Sequence, residues 1–211
     1  MIEFYTWFTP NGRKVAILLE ELGIEYNTHS VNIGKDEQFD PEFLKISPNN
    51  KIPAILDTDN NYPLFETGAI LLYLAEKHGK FLNTKDRDAY WRTMEWLMWQ
   101  MGGFGPILGQ VHHFTKYNPG KSDYAQERYE TEARRLYRVL NERLEGREFI
   151  VDDYSIADMA CWPWAARHNW QEIDLNDYPN VRRWYMAMLD RPAVQRAWNI
   201  PENDQPLPIP E

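Results

Sequence analysis

Every strand signal in this 211-residue chain falls within its first eighty residues, and everything after about Asp86 carries helical periodicity alone. That division is the strongest constraint on the fold. It predicts a small mixed sheet with covering helices at the N-terminal end and an all-helical part after it. Residues 2–5 read as a short strand. The turn formers Thr9, Pro10, Asn11 and Gly12 follow, and Val15, Leu18, Leu19 and Leu22 then recur at i, i+3, i+4 and i+7, an amphipathic helix that Gly23 stops. Residues 26–33 read as a second strand, 41–46 as a short helical stretch, and 52–56 and 63–65 as two more strands around a turn at 57–61. Residues 67–78 are apolar nearly all round, which predicts a helix buried between layers. The order is βαβ, hairpin, helix.

Farther on, Tyr129, Ala133, Leu136, Tyr137, Leu140 and Leu144 keep helical spacing, with Glu130 and Arg134 as an outer i,i+4 pair. Val181, Trp184, Tyr185, Met188 and Leu189 repeat the pattern. Ser155 and Asp158 form a capping-box-like start, with Tyr154 placed to staple onto Met159. Gly79 to Lys85 reads as a linker, and Pro201, Pro206, Pro208 and Pro210 exclude helix or central strand from an extended surface tail. The expected domains are residues 1–79, 86–200 and a tail over 201–211.

Charge and composition remove whole classes of function. Lys and Arg number 23 against 32 Asp and Glu, a net charge of −9, so phosphate backbones and anionic lipid would be repelled. No run approaches the roughly 18 apolar residues of a membrane helix, and the opening residues lack the basic start of a signal peptide. The expectation is a soluble cytoplasmic protein without nucleic-acid or membrane partners. The single cysteine, Cys161, excludes an internal disulfide, a CxxC pair and a multi-cysteine zinc site. It sits among Ala160, Trp162 and Trp164, which favours packing over reactivity. Thiol chemistry here would draw its thiol from a ligand. His112 and His113 are adjacent, about 100° apart on a helix, and no metal is expected. Trp91, Trp96 and Trp99 read as packing residues, and Gly102, Gly103 and Gly105 are too loosely spaced for a phosphate loop.

The turn Thr9-Pro10-Asn11-Gly12 lies between a strand and a helix, where N–H groups and the helix dipole favour an anion. A thiol there is acidified, and Thr9 and Asn11 carry donors for a thiolate. By itself the turn is as well explained by a helix cap. Two further features join it. Ile52-Pro53 opens a strand inside the sheet, where proline fits if the peptide is cis or the strand starts there, leaving Ile52 to pair with an extended peptide. Glu66 and Thr67 stand at the start of a helix, which places Thr67 to cap it and to offer its N–H and hydroxyl to a carboxylate, and Glu66 to hold an ammonium. A thiolate, a peptide backbone and an amino-acid end together describe glutathione.

With Ile52-Pro53, Phe65-Glu66-Thr67-Gly68 and Ser155-Ile156-Ala157-Asp158 in place, the chain resembles a cytosolic glutathione transferase over almost its whole length. The segments Thr9 to Gly12, Ile46 to Pro53 and Gly109 to Phe114 resemble the bacterial nu class. The resemblance implies a thioredoxin-like α/β domain followed by an all-α domain. It implies a homodimeric, glutathione-dependent disulfide reductase with weak transferase and peroxidase activity. By the same resemblance Thr9 and Asn11 face the sulfur, Ile52 and Pro53 take the cysteinyl backbone, and Glu66 and Thr67 bind the γ-glutamyl end. Gln38 and Lys51 then lie near the glycyl or central part, and Arg128 contacts glutathione from the helical domain. No Ser or Cys occupies the first turn, and Tyr5 is a core residue of its strand. Trp7 and Phe8 line a second-substrate pocket or pack on a partner subunit. Glutathione is the expected co-substrate and a small disulfide or electrophile its partner. Conjugation to electrophiles and a non-catalytic glutathione-binding regulator are the alternatives.

Overall fold

The computed structural model describes residues 1–210. The chain divides into two compact units, one of residues 1–82 with 191–207, the other of residues 83–190 with 208–210.

In the first unit, β1 (Ile2–Thr6), β2 (Tyr26–Ser30), β3 (Ala54–Asp57) and β4 (Tyr62–Phe65) form one sheet in the order β2-β1-β3-β4. β1 and β2 are parallel, as a crossover through a helix requires, while β3 pairs antiparallel with both β1 and β4. The crossover helix is α1 (Pro10–Leu22). It ends where Gly23 adopts φ 65 and donates its N–H to Leu19 O. Val15, Leu18 and Leu19 of α1, Phe4 of β1 and Ile55 of β3 are fully buried. The predicted second strand stops at Ser30, and residues 33–35 and 37–39 turn as short 3₁₀ segments before α2 (Pro41–Leu44). α3 (Thr67–His78) has the predicted bounds, but Ile70, Leu71, Leu74 and Ala75 form its buried stripe while Ala69 stays exposed. The final helix of this unit, α9 (Pro192–Trp198), packs along α1.

The second unit carries α4 (Arg87–Trp99), α5 (Gly105–His112), α6 (Asp123–Arg143), α7 (Ile156–Ala165) and α8 (Pro179–Leu189). Two π-helical turns, at Gln100–Phe104 and His113–Tyr117, flank α5. All ten residues of α7 are buried, and the capping box sets its entry: Ser155 N donates to Asp158 Oδ2 at 3.0 Å and Ala157 N to Ser155 Oγ at 3.2 Å. Asp158 also accepts from Ile150 N and Trp184 Nε1, both at 2.9 Å. Burial pushes its carboxyl up to about 6, against these donors, which pull it down.

Candidate functional site

The turn between β1 and α1 is built around one hydroxyl. Thr9 is the N-cap of α1, with extended φ −102 and ψ 162, and its Oγ1 accepts from Gly12 N at 3.1 Å. Arg13 N closes the next bond onto Thr9 O at 3.0 Å. Pro10 occupies the first helical position, where its missing N–H leaves nothing unmade. Gly12 is required by contact: a Cβ would stand 2.3 Å from Trp7 O and 2.4 Å from Thr6 Oγ1. The cap uses the hydroxyl as an acceptor, and its proton remains available to donate to a ligand. Capping and ligand binding are therefore compatible roles of Thr9.

Asn11, Lys51, Ile52, Pro53, Glu66 and Thr67 line one hollow of about 140 Å³, together with Ser47 and Phe65. The Ile52-Pro53 peptide is cis, β3 begins after it, and neither backbone group of Ile52 is hydrogen-bonded among the described residues. Ser47 Oγ donates to Lys51 O at 2.8 Å and holds the preceding loop. Glu66 has φ 71 and ψ 119, a region that costs an L-residue about 1–3 kcal/mol and that its surroundings must enforce. Its carbonyl accepts from Ile70 N at 2.9 Å, and its carboxylate accepts from Asn49 Nδ2 at 3.4 Å. Thr67 is the first residue inside α3 and not its cap: the cap position falls on Glu66, which makes no side-chain capping bond, and an anion beside Thr67 meets the positive end of a helix.

The remaining candidates do not line that hollow. Gln38 is half-buried in the 3₁₀ turn, its Nε2 donating to Asp36 Oδ1 at 3.4 Å and its Oε1 buried without a partner among the described residues. Arg128, on α6 of the second unit, lines a hollow of about 640 Å³ with Ile107, Tyr124, Glu127, Tyr129, Thr131 and Glu132. Trp7 and Phe8 are half-buried and pack on each other, ring centroids 4.4 Å apart. Ser47 and Phe65, which line the hollow, and Asn49, which donates to Glu66, carry no local signature of a site role, although all three fall within Ile46 to Pro53 or Phe65 to Gly68.

Cys161 is fully buried within α7. His112 accepts from Gln171 Nε2 at 3.2 Å beside the Trp164 ring, and burial, with Arg167 and Lys116 nearby, lowers it to about 4. His113 faces Asn118 Nδ2 at 3.3 Å instead. Among the described residues no group of three His, Cys, Asp or Glu could hold a metal ion, and no helix is long and apolar enough to cross a membrane.

Residues 1–76 match the family described as glutathione S-transferase, N-terminal domain, and residues 104–192 its C-terminal domain. The chain is 52% identical over 205 residues to the Escherichia coli (strain K12) protein named disulfide-bond oxidoreductase YfcG, covering 93% of this chain and 94% of that one. It is 40% identical over 222 residues to disulfide-bond oxidoreductase YghU of the same organism, covering 98% and 77%. A Pseudomonas putida glutathione transferase, solved with one glutathione disulfide bound per subunit, matches at TM-score 0.89 and 43% identity over 95% of this chain and 91% of that one.

Proposed function

We propose that this chain, which belongs to the glutathione S-transferase family, is a nu-class, glutathione-dependent disulfide reductase whose attacking sulfur belongs to bound glutathione. The observation that carries this is the Thr9 hydroxyl, engaged as an acceptor by Gly12 N and left with its proton to give, in a turn whose neighbouring hollow contains no thiol. The chain's single cysteine lies buried in α7.

In this reading Thr9 and Asn11 donate to the sulfur. Half-ionising a thiol of pKa about 8.5 at pH 7 takes about 2 kcal/mol, the scale of one or two charge-assisted hydrogen bonds. Asn11 cannot exchange a proton, so its part is electrostatic. Ile52 and Pro53 take the cysteinyl backbone, and Glu66 and Thr67 the ammonium and carboxylate of the γ-glutamyl end. Lys51, Gln38 and Arg128 serve the rest of the anionic tripeptide. The thiolate attacks one sulfur of the substrate disulfide, forming a mixed disulfide and expelling a thiolate. A second glutathione thiolate attacks the mixed disulfide, giving glutathione disulfide and the second reduced thiol. The glutathione disulfide bound by the Pseudomonas putida relative supports this product.

Weak conjugating and peroxidase activity, a second-substrate role for Trp7 and Phe8, and a cytoplasmic homodimer complete the proposal. Trp91 and Met98 of α4 support the dimer: they are 54% and 47% exposed and lie two helical turns apart on one face. The test sets reduction of a small mixed disulfide, coupled to glutathione reductase, against conjugation of an aryl halide, in wild type and Cys161→Ala. Faster disulfide turnover that survives Cys161→Ala is expected. Conjugation as the faster reaction, binding without turnover, or loss of activity in folded Cys161→Ala would each sink the proposal.

A further inference from the structure

Arg13 lies in the first turn of α1, and its backbone N–H ends on Thr9 O at 3.0 Å while the preceding amide, Gly12 N, ends on Thr9 Oγ1 at 3.1 Å. Two consecutive N–H groups thus grip Thr9. The Arg13 side chain is 1% exposed, and a guanidinium taken out of water must be met by ring faces and acceptors. Here they come from the far end of the chain. The guanidinium carbon stands 3.3 Å from the centre of the Trp198 ring, and Nη2 donates to Gln205 Oε1 at 2.9 Å and to Trp198 O at 3.3 Å.

The segment that supplies these contacts is itself tied down. Trp198 Nε1 donates to Pro206 O at 2.8 Å, and Asn203 Nδ2 reaches Trp198 O at 3.2 Å and Pro201 O at 2.8 Å. Gln205 N donates to Asn203 Oδ1 at 3.0 Å, which fixes the backbone beside the side chain that Arg13 uses. The proline-rich tail is therefore a set of hydrogen-bonded loops closed on one buried cation.

We propose that residues 198–206 act as a strap that, through Arg13, fixes the first turn of α1 and so aims the Thr9 hydroxyl and Asn11 amide at the bound sulfur. Arg13 is a positioning residue in this scheme. With the strap undone its charge is drawn towards water, and the backbone N–H that grips Thr9 moves with it. The chemical half rests on the glutathione reading above; the mechanical half does not.

The experiment compares wild type, Gln205→Leu and Arg13→Lys by amide hydrogen exchange along α1 and by ultraviolet titration of the bound glutathione thiol. Gln205→Leu removes one acceptor, and Arg13→Lys keeps the charge without the planar fork. Exchange at Gly12 and Arg13 is expected to quicken about tenfold while Leu18 and Leu19 hold their rates. The bound thiol pKa is expected to rise by about half a unit, leaving roughly threefold less thiolate below that pKa. Unchanged exchange at Gly12 and Arg13 overturns the strap. So does an acceleration spread evenly over α1, which is general destabilisation, or a loosened turn with an unmoved thiol pKa. A wild-type protein that leaves bound glutathione at its free pKa overturns the sulfur placement instead, and the exchange rates then judge the strap by themselves.

Discussion

Replacing Thr9 separates the two roles its hydroxyl combines. Thr9→Val keeps the branched shape and removes the oxygen. Gly12 N, held at 3.1 Å and buried, then loses its acceptor, and loss of an N-cap costs about 1–2 kcal/mol of stability. The sulfur loses a donor worth about 1–3 kcal/mol, which raises the bound thiol pKa by about one to two units. Thr9→Asp divides these effects, because a carboxylate is a strong cap for Gly12 N but offers the sulfur a like charge and no donor. Stability near wild type with a thiol pKa raised at least as far as in Thr9→Val is expected for Thr9→Asp, and Thr9→Ser restores both. The assay pairs urea unfolding, followed by tryptophan fluorescence, with ultraviolet thiolate titration of bound glutathione. If both Thr9→Val and Thr9→Asp leave the bound thiol pKa at its wild-type value, Thr9 is a helix cap alone and other groups hold the sulfur.

Glu66→Ala removes the proposed partner of the glutathione ammonium and is expected to weaken binding tenfold or more, about 1.4 kcal/mol, with little change in thiol pKa; calorimetry showing wild-type affinity contradicts the assignment. Gly12→Ala forces a Cβ to within 2.3 Å of a backbone oxygen, and a loss of about 2–3 kcal/mol in urea unfolding is expected; wild-type stability would mean the turn can shift at no cost. Asp158 has a folded pKa of about 6, above an unfolded value of about 3.9, so its contribution is fully present below pH about 4 and falls as pH rises through 6. The stability of wild type relative to Asp158→Asn should therefore drop by about 3 kcal/mol between those limits, and a flat difference across that range counts against the raised pKa.

Local signals were legible where one residue dictates one conformation. Gly23 as a left-handed stop, Ser155 and Asp158 as a capping box, and Thr67 as the first residue of α3 all follow from short-range sterics and hydrogen bonding. Proline at position 53 pointed to a strand start, and β3 begins at the next residue. The second strand is shorter than its apolar and polar pattern suggests because Asn32 N–H goes to the Glu37 carboxylate and the chain turns there. The π-helical turns beside α5 fall in QMGGF and HFTKY, stretches without a regular apolar repeat, so periodicity does not reveal them. Asn11, Lys51, Glu66 and Thr67 share a hollow because three separate turns end at one rim, and each turn carries its own signature. Arg13 had no such signature. A cation in an amphipathic helix looks solvated until Trp198 and Gln205, remote in sequence, are brought to it.

That α9 and residues up to 207 belong to the same unit as the sheet bears on how the protein is made. The helical unit spans one unbroken stretch from Asn83 to Asp190, with a few residues from 208 on added to it, so α4 to α8 all leave the ribosome before α9. The sheet-bearing unit, whose strands are synthesised first, lacks the partner of α1 until residues 192–198 emerge. The strands are thus made before the helical unit but wait until after it for α9, and a nascent chain whose residues up to 190 have emerged would have every element from α4 to α8 while α1 was still bare along the side that α9 covers.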